Sequence, residues 1–287
     1  MGKLPNDKKI VALEMSASLA GVSLRVSREF VEAVPKAARF LSAEDLRAWG
    51  EMGRRLAMAN ADLGAEFFVE GVTELKNSAK ARALVFQICT RQLVLSSSIS
   101  LETFQLVPGL AKEIDDDKLF TEILQLASEI ATRSAKHSAD FLQKTPRVAA
   151  TLINFGDEKR EVAKSVIALA SHFANRTGGM TADLWQILPD ALEKLSAEQA
   201  ILLTEKATDF LEFGGSVTLN FINAGGGSLR RVPEVFADWL ECLLKVAKSG
   251  NAILISLIRS SPTFFANVLT LRKKQEVVAI AQKFCGW

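Results

Sequence analysis

The chain has 287 residues, 48% hydrophobic and 24% charged, and a net charge of +2, so it is a folded chain with no general electrostatic case for nucleic acid. Its three cysteines, Cys89, Cys242 and Cys285, are odd in number and far apart, which excludes a disulfide framework as an expectation and fits a reducing compartment. It has no run of about 18 uncharged apolar residues, so no membrane span is expected.

From the N-terminus, the first element is "NDKKIVALEMSASLAG". Its outline resembles a signal peptide, but Glu14 interrupts the apolar part, and it reads instead as the first helix of a repeat. "SREFVEAVPKAARFL" follows, with Pro35 as a mark. Similar surroundings recur in "GAEFFVEGVTEL" with Val72 at the mark, "SLETFQLVPGLAKEI" with Pro108 and "SADFLQKTPRVAATL" with Pro146. Three more follow in "TADLWQILPDALEKL" with Pro189, "TLNFINAGGGSL" with Gly226 and "ISLIRSSPTFFANVL" with Pro262. The marks are spaced 37, 36, 38, 43, 37 and 36 residues apart. Five of the seven prolines occupy this column, which argues for an internal repeat.

Apolar residues stand nine, five and four positions before the mark, as in Val26, Phe30 and Val31 or Val217, Phe221 and Ile222. That spacing is one face of a helix, helix B. Upstream, a helix A carries a column of mostly small residues: Ser16, Gly53, Cys89, Ala127, Ala170, Ala207 and Leu243. Between them lie turn residues such as Gly178–Gly179, Gly214–Gly215 and Ser249–Gly250. The mark itself is read as the first residue of a short helix C, where a proline is favoured, with Thr145 and Ser261 as N-caps.

The fold expected is all-α: a right-handed α-solenoid of about seven HEAT/armadillo-like repeats of about 37 residues, forming a single domain over 1–287. The repeats run 8–43, 44–79, 80–115, 116–153, 154–196, 197–233 and 234–269, with 270–287 a terminal helix or an eighth repeat cut short.

The clearest repeats, "LSAEDLRAWGEMGRRLAMANADLGAEFFVEGVTEL" and "WLECLLKVAKSGNAILISLIRSSPTFFANVL", resemble the α-helical repeats in the N-terminal regions of bacterial von Willebrand factor A-domain proteins of the nitric oxide reductase activation type. The resemblance spans nearly the whole chain. It implies an accessory or scaffold region in a bacterial cytoplasm, working with a MoxR-type AAA+ ATPase or an A-domain-containing protein. The metal-binding Asp-x-Ser-x-Ser of an A domain is absent from this sequence.

The surface columns of helix B give the candidate site. Six before the mark stand Glu29, Glu66, Glu102, Asp140, Asp183, Asn220 and Ser256; three before it stand Glu32, Val69, Gln105, Gln143, Gln186, Asn223 and Arg259. Three residues apart, the two columns share one helix face. Stacked, they make a ladder of carboxylates beside a ladder of amides, suited to an extended basic peptide whose backbone the amides can bond. The same columns equally serve as the water-facing side of helix B, with acids favoured near a helix start.

Nothing in the sequence is a catalytic signature, and no cofactor is expected. His137 falls in an apolar column and His172 on the polar stripe of helix A, neither with ligands clustered nearby. "NAGGGSLRR" lacks the strand and the Lys-Ser/Thr of a phosphate loop and reads as a relaxed turn. "DDD" at 115–117 reads as an acidic helix start and "LRKK" at 271–274 as a solvent-facing stretch. Helix A carries a polar stripe (Glu51 with Arg55, Gln87 with Arg91, Glu205 with Asp209, Glu241 with Lys245) that reads as a solvated outer face. A HEAT-like DNA glycosylase is the alternative; it would require Lys/Arg columns where this chain has acids.

Overall fold

A computed structural model of the chain describes residues 4–70, 79–231, 233, 236–247 and 250–270. The described residues are all-α. Among the described residues fourteen α-helices follow one another along the chain. In chain order they are α1 Asn6–Ala20 and α2 Leu24–Ala37, α3 Ala43–Ala59 and α4 Ala61–Glu70, α5 Ala79–Leu93 and α6 Ser97–Glu113, α7 Asp117–Ala131 and α8 Ala135–Ile153. Then come α9 Lys159–Thr177 and α10 Thr181–Leu192, α11 Ala197–Phe210 and α12 Gly215–Arg231, and α13 Phe236–Ala247 and α14 Asn251–Thr270. Among the described residues no helix is long and apolar enough to cross a membrane.

The helix starts are set by polar caps that satisfy otherwise unpaired N–H groups. Ser42 and Ser196 open α3 and α11 with full capping boxes, closed by Asp45 and Gln199. The Ser23, Ser96 and Asp116 side chains accept from the first turns of α2, α6 and α7. Asp116 takes the N–H groups of Lys118 and Leu119 at 2.9 and 3.0 Å, so the "DDD" stretch is a helix start, as read from the sequence.

The separate helix C is corrected. Pro35, Pro108, Pro146, Pro189 and Pro262 all lie inside helices that run on through them, so no separate helix opens at these five marks. A proline inside a helix deprives the carbonyl four residues back of its partner, at a cost near 3 kcal/mol. The residues four back are Val31, Phe104, Leu142, Trp185 and Ile258, the apolar column read from the sequence. Except for the half-buried Val31, these are buried, and that packing holds the helix together across the break. Thr145 and Ser261 are not N-caps. Their hydroxyls donate back to the Phe141 and Leu257 carbonyls at 3.0 and 2.7 Å, a bond available only inside a helix.

The chain divides into two compact units, Met1–Pro146 and Arg147–Trp287. In the first, the odd-numbered helices α1, α3, α5 and α7 pack side by side as one layer, and α2, α4 and α6 as another. In the second, α9 packs on α11, and α10, α12 and α14 pack in series. Each layer buries its apolar face on the other, the standard solution for amphipathic helices.

The small-residue column of helix A is where the layers meet closely. A Cβ on Gly53 would overlap the Phe68 ring. The first unit's core is an aromatic cluster: Phe68 meets Trp49 edge-on at 4.9 Å and Phe30 at 5.1 Å, and Phe67 meets Phe104 at 4.3 Å. The second unit stacks Phe221 between Phe210 at 4.3 Å and Trp239 at 5.5 Å.

Candidate interaction face

Helices α2, α4, α6, α8, α10, α12 and α14 carry the predicted columns. Their apolar positions point inward: Phe30, Phe67, Phe68, Phe104, Phe141, Leu142, Leu184, Trp185, Phe221 and Ile222 are all buried. The opposite side is open. Glu66, Glu102 and Asp183 are exposed, as are Gln105, Gln143, Gln186 and Asn223, while Glu29, Asp140 and Asn220 are half-buried.

In the first unit α2, α4 and α6 pack in series, so Glu29, Glu66 and Glu102 hold equivalent places on neighbouring helices. Helix axes packed this way lie about 8–10 Å apart. Glu29 accepts from Arg28 at 3.1 Å, and Arg28 also faces Glu32 at 3.7 Å; these acids raise the Arg28 pKa. Glu66, Glu102, Asp140 and Asp183 make no hydrogen bond or ion pair among the described residues, and neither do Gln105, Gln143, Gln186 and Asn223. In the second unit one rung is closed. Asn220 Oδ1 accepts from Arg259 Nε of the next repeat at 2.7 Å, and its amide nitrogen donates to the Ser216 carbonyl at 2.6 Å.

A column that the sequence reading passed over ties three of the helix pairs, α1 with α2, α5 with α6 and α7 with α8. Eight before the mark stand Ser27, Ser100 and Ser138, all buried. Their hydroxyls donate to the carbonyls of Ser16, Cys89 and Ala127, eleven residues earlier in helix A, at 2.9, 2.8 and 2.8 Å. The acceptors belong to the small-residue column, so small side chain and hydroxyl form one device. Its signal was readable: Ser27, Gly64, Ser100, Ser138, Thr181 and Thr218 form a run of small or hydroxyl residues at one register position.

Basic side chains also cross between repeats to the carbonyls near helix ends, where the dipole is negative. Arg91 donates to the Ser128 carbonyl and hydroxyl at 2.5 and 2.8 Å, instead of pairing along helix A with Gln87. Arg230 reaches the Glu193 carbonyl at 3.0 Å, and within the first repeat Lys8 reaches the Ala38 carbonyl at 2.9 Å. On the outer stripe, Glu51 accepts from Arg54 at 2.8 Å and Arg55 at 3.2 Å, and the Arg54 bond first, with Arg55 assisting, lowers its carboxyl pKa. Lys245 pairs with Glu241 at 3.0 Å. Glu205 and Asp209 are like charges, and Asp209 pairs instead with Lys206 at 3.4 Å.

Arg82 is 6% exposed, and its Nε lies 3.4 Å from Asp45 Oδ2. This pair ties α5 to the capping box of α3.

The remaining sequence candidates resolve as follows. "NAGGGSLRR" is neither a phosphate loop nor a turn, because it lies inside α12. Gly226 is there because α12 passes so close to α10 that a Cβ would overlap the Ala191 carbonyl. His137 is half-buried and His172 exposed. Among the described residues no group of three His, Cys, Asp or Glu gathers as metal ligands would. Cys89 is a free thiol whose pKa burial pushes up, far from a reactive thiolate. Cys242 is disulfide-bonded. "LRKK", Val72 and the terminal stretch 271–287 also lie outside the described residues. No protein-family model, curated protein or solved structure matches this chain.

Proposed function

We propose that the chain is a non-catalytic protein-interaction scaffold, a HEAT/armadillo-like solenoid of seven two-helix repeats. It holds an extended basic segment of a partner along the acid and amide columns of its B helices. The observation that carries this reading is the state of those columns. Glu66, Glu102, Asp140 and Asp183 recur once per repeat and reach water without a cation from the described chain. A surface needing only solubility would be served by intrahelical pairs such as Glu51 with Arg54 and Arg55.

The likeness of the repeats to the N-terminal regions of A-domain proteins supports a MoxR-type AAA+ ATPase or an A-domain-containing protein as the partner. Placement in a bacterial cytoplasm rests on that likeness.

The test is charge reversal of Glu102, Asp140 and Asp183 to Lys, read by fluorescence anisotropy with a labelled Lys/Gly peptide and by circular dichroism. Binding should fall at least about tenfold with helicity unchanged and should weaken with salt in the parent protein. Equal binding by parent and variant rejects the ladder. Tighter binding of duplex DNA than of the peptide by the parent rejects the protein-scaffold reading.

A further inference from the structure

In the sequence register, the positions 16 and 5 before the mark are apolar columns, one on helix A and one on helix B. The first holds Leu19, Leu56, Ile130, Phe173, Phe210 and Val246, and the second Phe30, Phe67, Phe141, Leu184, Phe221 and Leu257. The stretch around Pro108 breaks both columns at once, with Gln92 and Thr103. Neither exception lies at the surface: Gln92 is 0% exposed and Thr103 1%. Each also leaves an oxygen over. Gln92 Nε2 donates to the Ala135 carbonyl at the start of α8 at 3.4 Å, but its Oε1 has no partner among the described residues, and neither has Thr103 Oγ1. A buried polar atom without a partner is costly, so two of them in matched columns of one helix pair call for a shared explanation.

The two columns face each other. Phe210 and Phe221 hold these positions in α11 and α12, and their rings stack at 4.3 Å. α5 packs on α6, and the Ser100 hydroxyl fixes that pair through the Cys89 carbonyl at 2.8 Å, three residues before each exception. Glutamine and threonine fill less space there than two rings do, and a ring is larger than the roughly 30 Å³ that a water takes up. We propose that Gln92 and Thr103 form a buried site for one ordered water, which bridges α5 and α6 and, through the Gln92 amide, the start of α8. The Ala135 carbonyl accepts only from a donor, so it turns the amide nitrogen toward α8 and leaves Oε1 as the acceptor for the water. The Thr103 hydroxyl can donate to the same water or accept from it. Both leftover oxygens are then satisfied, and the water has the two or more polar partners it needs. The lining also selects water over an ion. Amide and hydroxyl carry no charge, and burial pushes the neighbouring Cys89 thiol up and keeps it protonated, whereas a buried ion needs a counter-charge.

The test is thermal unfolding of the full chain, followed by crystallography. Thr103→Val keeps the shape of the side chain and removes only the hydroxyl. It should lower the midpoint by about 2–4 °C, the loss of roughly one buried hydrogen bond in a chain of this size. A midpoint at or above the parent's overturns the site, because removing an orphaned hydroxyl relieves a core rather than weakening it. Gln92→Leu places at this position the residue that Leu19 and Leu56 supply in their own helices. In that background Thr103→Val should lower the midpoint by less than half as much, since the bridge is already gone. An equal loss in both backgrounds means that the hydroxyl bonds within its own helix, and overturns the bridge. A crystal structure of the parent should place an ordered water within about 3.2 Å of both Gln92 Oε1 and Thr103 Oγ1. Gln92→Leu/Thr103→Val should have none between α5 and α6. A parent structure in which the two side chains bond each other directly, or in which no water meets both, also overturns the proposal.

Discussion

Trp49 in the first unit and Trp239 in the second hold the same register position, each 23 residues before its mark. Both are buried, yet their indole N–H groups fare differently. Trp239 Nε1 donates to Ser261 Oγ at 2.7 Å, whereas Trp49 Nε1 has no partner among the described residues. The close contacts differ in the same spirit. In the first unit Gly53 makes room for a side chain, Phe68, while in the second Gly226 makes room for backbone, the Ala191 carbonyl. The two units thus differ at two matched details: an unpartnered indole and a side-chain contact at Gly53 in the first, a bonded indole and a backbone contact at Gly226 in the second.

The largest expected effect tests the ion pair. Arg82→Ala leaves Asp45 partly buried without its cation and should cost about 3 kcal/mol in urea unfolding. Next come the glycines. Gly53→Ala and Gly226→Ala should each cost about 2–3 kcal/mol through overpacking. Adding Phe68→Leu should recover part of the first loss, because a side chain can be trimmed. No side-chain change should recover the second, because its neighbour is backbone. Recovery of both, measured by thermal unfolding, would erase the contrast between the units.

The indoles follow. Trp239→Phe should cost about 1 kcal/mol more than Trp49→Phe, since only the former breaks a hydrogen bond. Equal losses would mean that the Trp49 N–H is satisfied.

The smallest effect is a pH dependence. The Arg54 hydrogen bond, aided by Arg55, lowers the Glu51 pKa below its ordinary 4.5. A carboxylate with a depressed folded pKa stabilises above its unfolded value, and that contribution disappears as pH falls through the folded one. Glu51→Gln should therefore flatten the midpoint temperature slightly below about pH 4.5 and leave its shape at pH 7 unchanged.

The all-helical character of the chain was legible in the sequence, but the ends of the second helices were not, since a boundary was read at each proline. The mark-to-mark distance is set by the length of two helices and two turns, and the apolar columns of the second helices repeat with it. The outward side of the acid and amide columns was legible for the same reason. The proline was misread because its local preference is ambiguous: a missing N–H is harmless at a first helical position and tolerable within a helix that packing holds together. The glycine run misled in the same way, since glycine suits a turn by default and α12 accepts it only because α10 lies against it. Arg82 gave no sign of burial, as its partner Asp45 lies 37 residues away and belongs to another helix's cap.

Periodicity by itself therefore determined an all-α chain of paired helices, because each helix must turn one face inward and spacing of three and four residues records which. Only the tertiary structure decided which helices run through their prolines, which glycines are contact points and which polar groups find partners. Those outcomes depend on atoms brought together from neighbouring repeats, about 37 residues apart in sequence. A local pattern carries no record of such distances.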